Sequence, residues 1–336
     1  MKTSQLATKV ITGFLKFKTG RPTPIFASYN VTGRCNMKCT FCEWWKNDIP
    51  ELSTKKALAA IDAICRLNVP FFDLSGGEPL LRKDLVVLAK RVASYGCLVS
   101  MNTNGTLLNE RRVNELVDVF DTVVVSLDGP REVHDRIRGV PGTYEKAVNA
   151  IKLLKANGVK TGVNSVVTPW NIEVLPKFIE NLRGHVDFIQ VQPIHPFPPP
   201  KENVPNNERV SRLLDYLLKL KRSDPGFIAL PTEFIKGFEK FFKGKTPKIC
   251  YAGELYVAIN PEGKLLACPA RSDILLGNTL NGSIDGVLKC RDSEGWREVS
   301  ACKGCWLECT VGVSMILSNP FSEVSQLIGL WRTRTN

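Results

Sequence analysis

Short apolar runs alternate with amphipathic stretches along most of the chain. Residues 26–32 alternate between apolar and polar side chains, which is typical of a β-strand, whereas residues 54–67 show a helical period behind Ser53 or Thr54 as N-cap. Further strands are predicted at 71–75, 97–102, 122–127, 160–168 and 186–192. Because six strands that alternate with helices build βαβ units, the pattern predicts an α/β fold whose parallel strands converge on one face.

The composition is that of an ordinary globular protein. The chain has 336 residues, of which 43% are hydrophobic and 23% are charged, and this excludes wholesale disorder. It contains no apolar run of about eighteen residues, as a membrane-spanning helix requires, and lysines interrupt its first residues, unlike a secretory signal. We therefore expect a cytoplasmic protein. The net charge of +12 favours anionic partners. Nucleic acid is not expected among them, because the basic residues are spread out and no RNA-binding motif is visible.

Cysteine clusters change this picture. Three of the 11 cysteines, Cys35, Cys39 and Cys42, lie on one short segment. In a reducing compartment such clusters indicate a metal site rather than disulfides, and soft thiolates select iron–sulfur clusters or zinc. Structural zinc prefers four ligands, but no fourth Cys or His lies within about twenty residues. Three thiolates can hold three irons of a [4Fe-4S] cube and leave the fourth iron open. A zinc site or unrelated thiols are the alternatives.

The spacing C-x3-C-x2-C, with the aromatic Phe41 before the third cysteine, resembles the signature of the radical S-adenosylmethionine (SAM) superfamily. The resemblance extends over about residues 22–225 and implies a partial (β/α)6 TIM barrel. It also implies that SAM binds the open iron and is reductively cleaved to a 5′-deoxyadenosyl radical. In the family, this radical abstracts hydrogen from an unactivated C–H bond, and the aromatic ring packs near the adenine.

Strand ends beyond the cysteine loop carry residues that match the family's SAM site. Gly76, Gly77, Glu78 and Pro79 resemble its GGEP turn, in which glycines let the backbone approach the ligand and the glutamate can accept from its ammonium. By the same resemblance, Ser126 contacts the ribose or methionine part of SAM and Arg138 pairs with its carboxylate. The other residues implied at this site are Asn104, Asp128, Asn164 and, for adenine or substrate, Gln190 and Gln192. A satisfied polar group at a strand end is the alternative for Ser126 and Asn164.

A proline-rich segment at 195–200 follows the sixth predicted strand. Prolines stiffen a chain, so this segment can form a wall over the substrate or serve as a plain linker. Its first residue, His195, is the candidate catalytic proton donor. A solvated loop histidine is the alternative.

A second group of cysteines lies near the end of the chain. Two predicted short strands at 255–260 and 264–267 form a hairpin, with Cys250 before it and Cys268 behind it, and a later C-x2-C-x3-C follows. The region resembles the twitch and SPASM extensions of radical SAM enzymes and implies one auxiliary [4Fe-4S] cluster. The expected ligands are Cys250, Cys268, Cys302 and Cys305, with Cys309 as the competitor for a place. Structural zinc at the same sulfurs is the alternative.

Both ends of the chain read as amphipathic basic helices. Leu6, Val10, Phe14 and Phe17 share one face at the beginning, and Trp331 stands beside arginines at the end. This pattern predicts interfacial helices, with simple packing on the barrel as the alternative. The expected domains are the first helix (1–21), the radical SAM core (22–225), the auxiliary domain (226–312) and the last helix (313–336).

These expectations converge on a radical SAM enzyme with one auxiliary cluster. A membrane lipid or lipid precursor is the favoured substrate, because the ends are amphipathic. For the same reason we expect the protein to attach peripherally to the inner face of the membrane. Maturation of a ribosomal peptide or synthesis of a cofactor is the alternative, and an iron–sulfur electron carrier or sensor is the non-enzymatic one. The expected reducing partner is a ferredoxin or a flavodoxin-like protein.

Overall fold

The computed structural model describes residues 2–46, 48–194, 205–246 and 249–318. The strands that follow one another through the first two thirds are β1 (Phe26–Thr32), β2 (Phe71–Gly76), β3 (Leu98–Thr103), β4 (Thr122–Ser126), β5 (Lys160–Val167) and β6 (Phe188–Pro193). Helices α1–α7 are Lys2–Lys18, Thr54–Cys65, Leu85–Ser94, Glu110–Leu116, Arg131–Arg138, Thr143–Ala156 and Leu175–Leu182. Helices α8–α12 are Asn207–Ser223, Thr232–Phe242, Ile284–Lys289, Glu294–Ala301 and Val313–Ser318.

The six predicted strands all exist and form a parallel sheet. Their hydrogen-bonded order is β6-β5-β4-β3-β2-β1, so each strand lies beside its neighbour in sequence. Helices connect successive strands, because parallel pairing needs a crossover connection between them. In the described residues β6 does not pair back to the other end of the sheet, which leaves the barrel open. The predicted α/β class and partial barrel are therefore confirmed.

The C-terminal hairpin continues this sheet. Strand β7 (Tyr256–Ile259) pairs in parallel with β1, and β8 (Lys264–Leu266) and β9 (Leu275–Asn278) follow it in antiparallel order. All four residues of β7 are buried, which is the pattern of a strand covered on both faces rather than of a solvent-exposed hairpin. The second cysteine group is thereby attached to the edge of the barrel.

The two faces of the parallel sheet differ in polarity. Outward-facing residues such as Leu74 and Val99 are fully buried in the main hydrophobic core. On the inner face, Ser28, Asp73 and Ser100 are paired in register across three strands. Most TIM-type barrels fill this space with packed branched side chains. Here the inner face instead encloses a cavity of about 330 Å³, which we call the lumen.

Helix α1 packs against the bottom of the barrel. Leu6 and Val10 are buried in a cluster with Phe71, at the start of β2, while Phe14 and Phe17 are partly buried against the same cluster. Much of the apolar face predicted to meet a membrane therefore contacts the chain itself, which was the alternative interpretation. The C-terminal residues 319–336, including the predicted anchor Trp331, lie outside the described residues. None of the described helices combines the length and the apolar character needed to cross a bilayer.

Candidate active site

The first cysteine loop follows β1 and is held by backbone contacts on two sides. On one side, the amides of Gly77 and Glu78 donate to the carbonyls of Thr32 and Arg34 at 2.9 and 2.8 Å. On the other, the amide of Lys38 donates to the carbonyl of Arg138 at the end of α5, at 3.1 Å. The loop therefore sits between the GGEP turn and α5, at the carboxyl ends of the strands.

Glycine is required where these segments touch. A Cβ on Gly77 would overlap the carbonyl oxygen of Arg34, and a Cβ on Gly139 would overlap that of Lys38. Gly139 also has φ of +69°, in the left-handed region that favours glycine. The two glycines thus permit the close approach that fixes the position of the loop.

The three thiols of this loop form one electrostatic group. Burial, with a smaller contribution from the charges of Cys39 and Cys42, raises the pKa of Cys35 to about 11. Burial likewise raises the pKa of Cys42, with Cys39 contributing. Neighbouring thiolates away from water are costly unless a cation compensates them, as a bound metal cluster does. The metal-free loop therefore has the electrostatic properties of a ligand set.

The three thiols of the loop are not gathered around one point. Among the described residues, no three Cys, His, Asp or Glu side chains are gathered tightly enough to hold one metal ion. In a [4Fe-4S] cube each thiolate binds a different iron, so the thiols need not converge on one point. The spacing and burial of Cys35, Cys39 and Cys42 therefore suit a cube with one iron left without a protein thiolate.

Arg138 and Asp128 form a buried ion pair beside this loop. Nε and Nη2 of Arg138 donate to the two carboxylate oxygens of Asp128 at 2.6 and 3.0 Å. Nη1 lies 3.8 Å from Sγ of Cys39, and the guanidinium stands over the Phe41 ring at 5.4 Å. Burial raises the pKa of Asp128, but the charges of Arg138 and His134 outweigh it and hold the pKa at about 2. Arg138 is thus largely occupied by Asp128, and its remaining nitrogen faces the cysteine loop.

Glu78 is a buried acceptor that joins two strand ends. Its carboxylate accepts from the Thr103 hydroxyl and the Asn104 amide, both at 2.8 Å, and from the Leu80 amide at 3.1 Å. Asn104 in turn donates through Nδ2 to Asn36 in the cysteine loop at 2.8 Å. Burial raises the pKa of Glu78 to about 7, although these hydrogen bonds oppose the shift. Protein donors therefore fill most of the positions with which Glu78 could accept from a ligand.

The other predicted SAM-site residues lie at the mouth of the lumen. Ser126, Asn164 and Gln192 line it, and the described residues provide no hydrogen-bond partner for the buried Oδ1 of Asn164. Gln190 also lines the lumen but donates to Glu308 at 2.6 Å. His195, the predicted proton donor, lies outside the described residues.

The second cysteine group borders the lumen through Cys309. Burial raises the pKa of Cys305 to about 11, and the charges of Cys250 and Cys302 contribute. The pKa of Cys309 is raised well above its usual range by burial and by the charges of Cys268 and Cys305. Cys305 therefore lies within electrostatic reach of the other four predicted thiols.

An aromatic contact positions this group. Trp306, next to Cys305, is buried, stacks on Phe234 at a centroid distance of 5.5 Å and donates through Nε1 to its carbonyl at 2.9 Å. Gly237 of α9 lies so close to the indole ring that any Cβ would overlap it. Cys65 and Cys97 are buried core residues, as expected, and Cys290 is exposed.

Two carboxyl groups of the lumen were missed in the sequence. Asp73 occupies the inner face of β2, and Glu308 belongs to a π-helical turn at Glu308–Gly312. Burial raises the pKa of Asp73 above its usual range and that of Glu308 to about 8. The alternation of β2 could have indicated Asp73, because it shares a face with Ser75. Nothing in the local pattern distinguishes Glu308 from a solvated residue.

Known proteins share both the sequence and the fold. The family model of the radical SAM superfamily matches residues 29–182. Pre-heme d1 synthase from Dinoroseobacter shibae is 36% identical over 165 residues, which cover 48% of this chain but only 41% of that protein. Mycofactocin maturase from Mycobacterium ulcerans is 29% identical over 82% of this chain and 77% of that protein. The chain thus spans less than half of the length of the first relative and most of the length of the second.

The solved structures agree with the fold. SuiB from Streptococcus suis, in its structure bound to S-adenosylmethionine, superposes with a TM-score of 0.69 at 17% identity, over 88% of this chain and 74% of that one. At this identity the likeness concerns the fold alone. Residues 29–182, which carry the match to the family model, contain the cysteine loop, and the radical SAM family implies a [4Fe-4S] cluster and SAM.

Proposed function

We propose that this chain is a radical SAM enzyme that abstracts hydrogen from a substrate held in the lumen. When bound, the cluster and SAM together supply a one-electron cleavage that generates the hydrogen-abstracting radical. The observation that carries the proposal is the position of three coupled thiols at the carboxyl ends of parallel strands, where ligands bind in such barrels.

The residues around the loop have distinct tasks in this proposal. Cys35, Cys39 and Cys42 hold the cluster, and Gly76 and Gly77 let the turn lie close to the backbone of Thr32 and Arg34, at the start of the cysteine loop. Ser126, Asn164 and Gln192 face SAM from the mouth of the lumen, and the unpartnered Oδ1 of Asn164 offers an acceptor for one of its donors. Phe41, Pro79 and Asp128 also belong to the SAM side in this proposal, by their place in the loop and turns.

Arg138 and Glu78 act differently. Arg138 neutralises Asp128 and presents its remaining nitrogen to the cluster side of the site. Glu78 fixes the GGEP turn to the end of β3. Both are positioning residues for the loop, and an ionic contact of Arg138 with the SAM carboxylate would use only Nη1.

An auxiliary [4Fe-4S] cluster completes the proposed site. The mutual electrostatic influence of Cys250, Cys268, Cys302 and Cys305 supports them as its four ligands, with Cys309 in reach of the same position. Thr310 is buried among these thiols, and its hydroxyl lowers the pKa of Cys250 and Cys305. A fully ligated cluster at this place would relay electrons or help to orient the substrate.

The substrate class that we propose is a peptide, with a cofactor precursor as the second candidate. A relative aligned over most of both chains is a mycofactocin maturase by name, and SuiB has also been solved bound to a precursor peptide. Pre-heme d1 synthase supports the second candidate. The membrane lipid favoured in the sequence has no support from the comparisons, and the buried face of α1 removes much of its basis. A small ferredoxin or flavodoxin-like reductant and a cytoplasmic location remain part of the proposal.

Product analysis tests the central claim. Anaerobically reconstituted chain, incubated with SAM and dithionite, is expected to release 5′-deoxyadenosine, measured by mass spectrometry. The triple variant C35A/C39A/C42A should release none, and C290A, which removes an exposed thiol outside both groups, should match the wild type. A chain that loads iron but forms no 5′-deoxyadenosine would be an electron carrier instead.

Iron content tests the auxiliary cluster separately. Two cubes predict about eight irons per chain, and C35A/C39A/C42A should retain about four. The variant C250A/C268A should lose the other four while its SAM cleavage shows whether the first cluster remains. A wild-type content of about four irons, all lost in the first triple variant, would contradict the auxiliary cluster.

A further inference from the structure

The lumen contains two carboxyl groups that have no cationic partner among the described residues. Asp73 accepts from the Ser100 hydroxyl at 2.7 Å and from Nδ2 of Asn102 at 2.9 Å. Glu308 accepts from Nε2 of Gln190 at 2.6 Å. In the described part of the chain, no lysine, arginine or histidine contributes to the electrostatics of either group. Buried acidic groups are either paired or remain protonated, so a bound cation would stabilise the charged forms of these two.

Lys221, a cation on the lumen wall, does not compensate these carboxyl groups. Nζ of Lys221 donates to the carbonyl oxygens of Pro225 and Ile228 at 3.1 and 2.9 Å. Its ammonium is therefore directed into the backbone between α8 and α9. The wall of the lumen that faces the substrate remains acidic.

Several hydrogen-bond acceptor positions in the lumen are left open by the described residues. A carboxylate can accept about four hydrogen bonds, of which protein donors supply two to Asp73 and one to Glu308. Asn164, paired in register with Gln190, adds a buried Oδ1 that has no partner among the described residues. A ligand with N–H donors would complement these acceptors.

Size and shape narrow the ligand further. A volume of about 330 Å³ is at the small end for ligand pockets and admits a group of amino-acid side-chain size. Phe26, Phe71 and Phe188 supply apolar wall area at the lower end. The lumen is therefore apolar at the bottom and acidic above.

We propose that the lumen is a subsite for a substrate group that carries a primary ammonium or guanidinium on an apolar stem. The cation pairs with Asp73 and Glu308, donates to their free acceptor positions and places its stem against the phenylalanines. The inference rests on the proposed function, because it takes the bound group to be part of the substrate that the enzyme presents to SAM. Asp73 and Glu308 are the specificity-determining residues of this subsite.

Binding of small probes tests the subsite without any radical chemistry. The probes are benzylammonium, benzyl alcohol and benzoate, which share a stem and differ in charge. Calorimetric titration of the reconstituted full chain, without SAM or reductant, should show benzylammonium binding about tenfold or more tightly than benzyl alcohol, and no binding of benzoate. Equal affinity for the cation and the alcohol would overturn the proposal.

Isosteric variants assign the binding to the two residues. D73N and E308Q should each weaken benzylammonium about tenfold and leave benzyl alcohol unchanged. D285N removes an exposed carboxylate of α10 and should match the wild type. Unchanged binding in both D73N and E308Q, with thermal unfolding like that of the wild type, would refute the assignment. If 5′-deoxyadenosine never forms but the charge preference is present, the proposed function fails and the subsite stands.

Discussion

Arg138 and Asp128 form a two-pronged ion pair, at 2.6 and 3.0 Å, whose third guanidinium nitrogen points at Sγ of Cys39. The same carboxylate accepts from the amide of Val166 on β5 at 2.9 Å. One buried pair thus connects β4, β5, α5 and the cysteine loop. Its charges are compensated within the protein, which keeps the loop in place before any cofactor is bound.

The variant D128N should lower the free energy of unfolding by about 3–5 kcal/mol, because it leaves the buried guanidinium of Arg138 unpaired. Urea unfolding of the metal-free chain measures this loss. D118N removes an exposed carboxylate and should change the free energy by less than about 0.5 kcal/mol. An equal loss of free energy of unfolding in the two variants would show that the ion pair contributes no more to stability than an exposed carboxylate does.

The same pair predicts an acid limb of stability. The pKa of Asp128 is lowered from 3.8 to about 2, so the folded state binds fewer protons than the unfolded chain in this range. The stabilisation is complete above the unfolded value and is lost as the pH falls from about 4 towards 2. In a series of unfolding curves, D128N should lack this part of the decline. A decline of the same size in D128N would assign it to other carboxyl groups.

Two left-handed glycines offer a matched test of the close approach at the cysteine loop. Gly139 and Gly142 have φ of +69° and +76°, but a Cβ on Gly139 would overlap the Lys38 carbonyl while Gly142 has open space. G139A and G142A therefore share the backbone strain, of about 1 kcal/mol, and differ in the clash. We expect G139A to displace the loop and to bind at most half of the wild-type iron after anaerobic reconstitution, with G142A near the wild type. Equal iron in both variants would show that the loop accommodates the clash.

Glu78 predicts a pH dependence of the opposite sign. Burial raises its pKa from 4.5 to about 7, so the folded state binds the extra proton. Its contribution is complete below pH 4.5 and is lost as the pH rises through about 7. In E78Q the decline between these values should be smaller, because the amide does not titrate. E43Q, at an exposed glutamate, is the control and should keep the wild-type slope.

Local patterns predicted the parts of the fold that depend on neighbours in sequence. Strand β1 has the predicted bounds, and the other five strands of the barrel lie within two residues of theirs. The cysteine spacing and the GGEP turn were readable because each is a short segment with its own chemistry. The two-residue period of β2 could also have predicted that Asp73 faces the lumen.

The remaining features depend on contacts between distant residues. Pairing of β7 with β1 joins residues more than two hundred positions apart, and the buried pattern of β7 does not name its partner. Glu308 reaches the lumen because a π-helical turn carries it to Gln190. The apolar face of α1 is equally suited to a membrane or to a protein surface. Its sequence does not show that the bottom of the barrel offers apolar side chains, such as Phe71, for the helix to cover.

Helix α1 allows these two interpretations to be separated by experiment. Leu6 and Val10 are each 7% exposed in the cluster with Phe71, whereas Ile11 and Leu15 are each 59% exposed on the other side of the helix. L6A/V10A should lower the free energy of unfolding by about 2–5 kcal/mol, because it leaves cavities under the helix. I11A/L15A should change it by less than about 1 kcal/mol. Co-sedimentation with vesicles of phosphatidylglycerol should be the same for the wild type and I11A/L15A if the helix serves only to pack. A marked loss of vesicle binding in I11A/L15A, at unchanged stability, would instead identify Ile11 and Leu15 as a membrane contact.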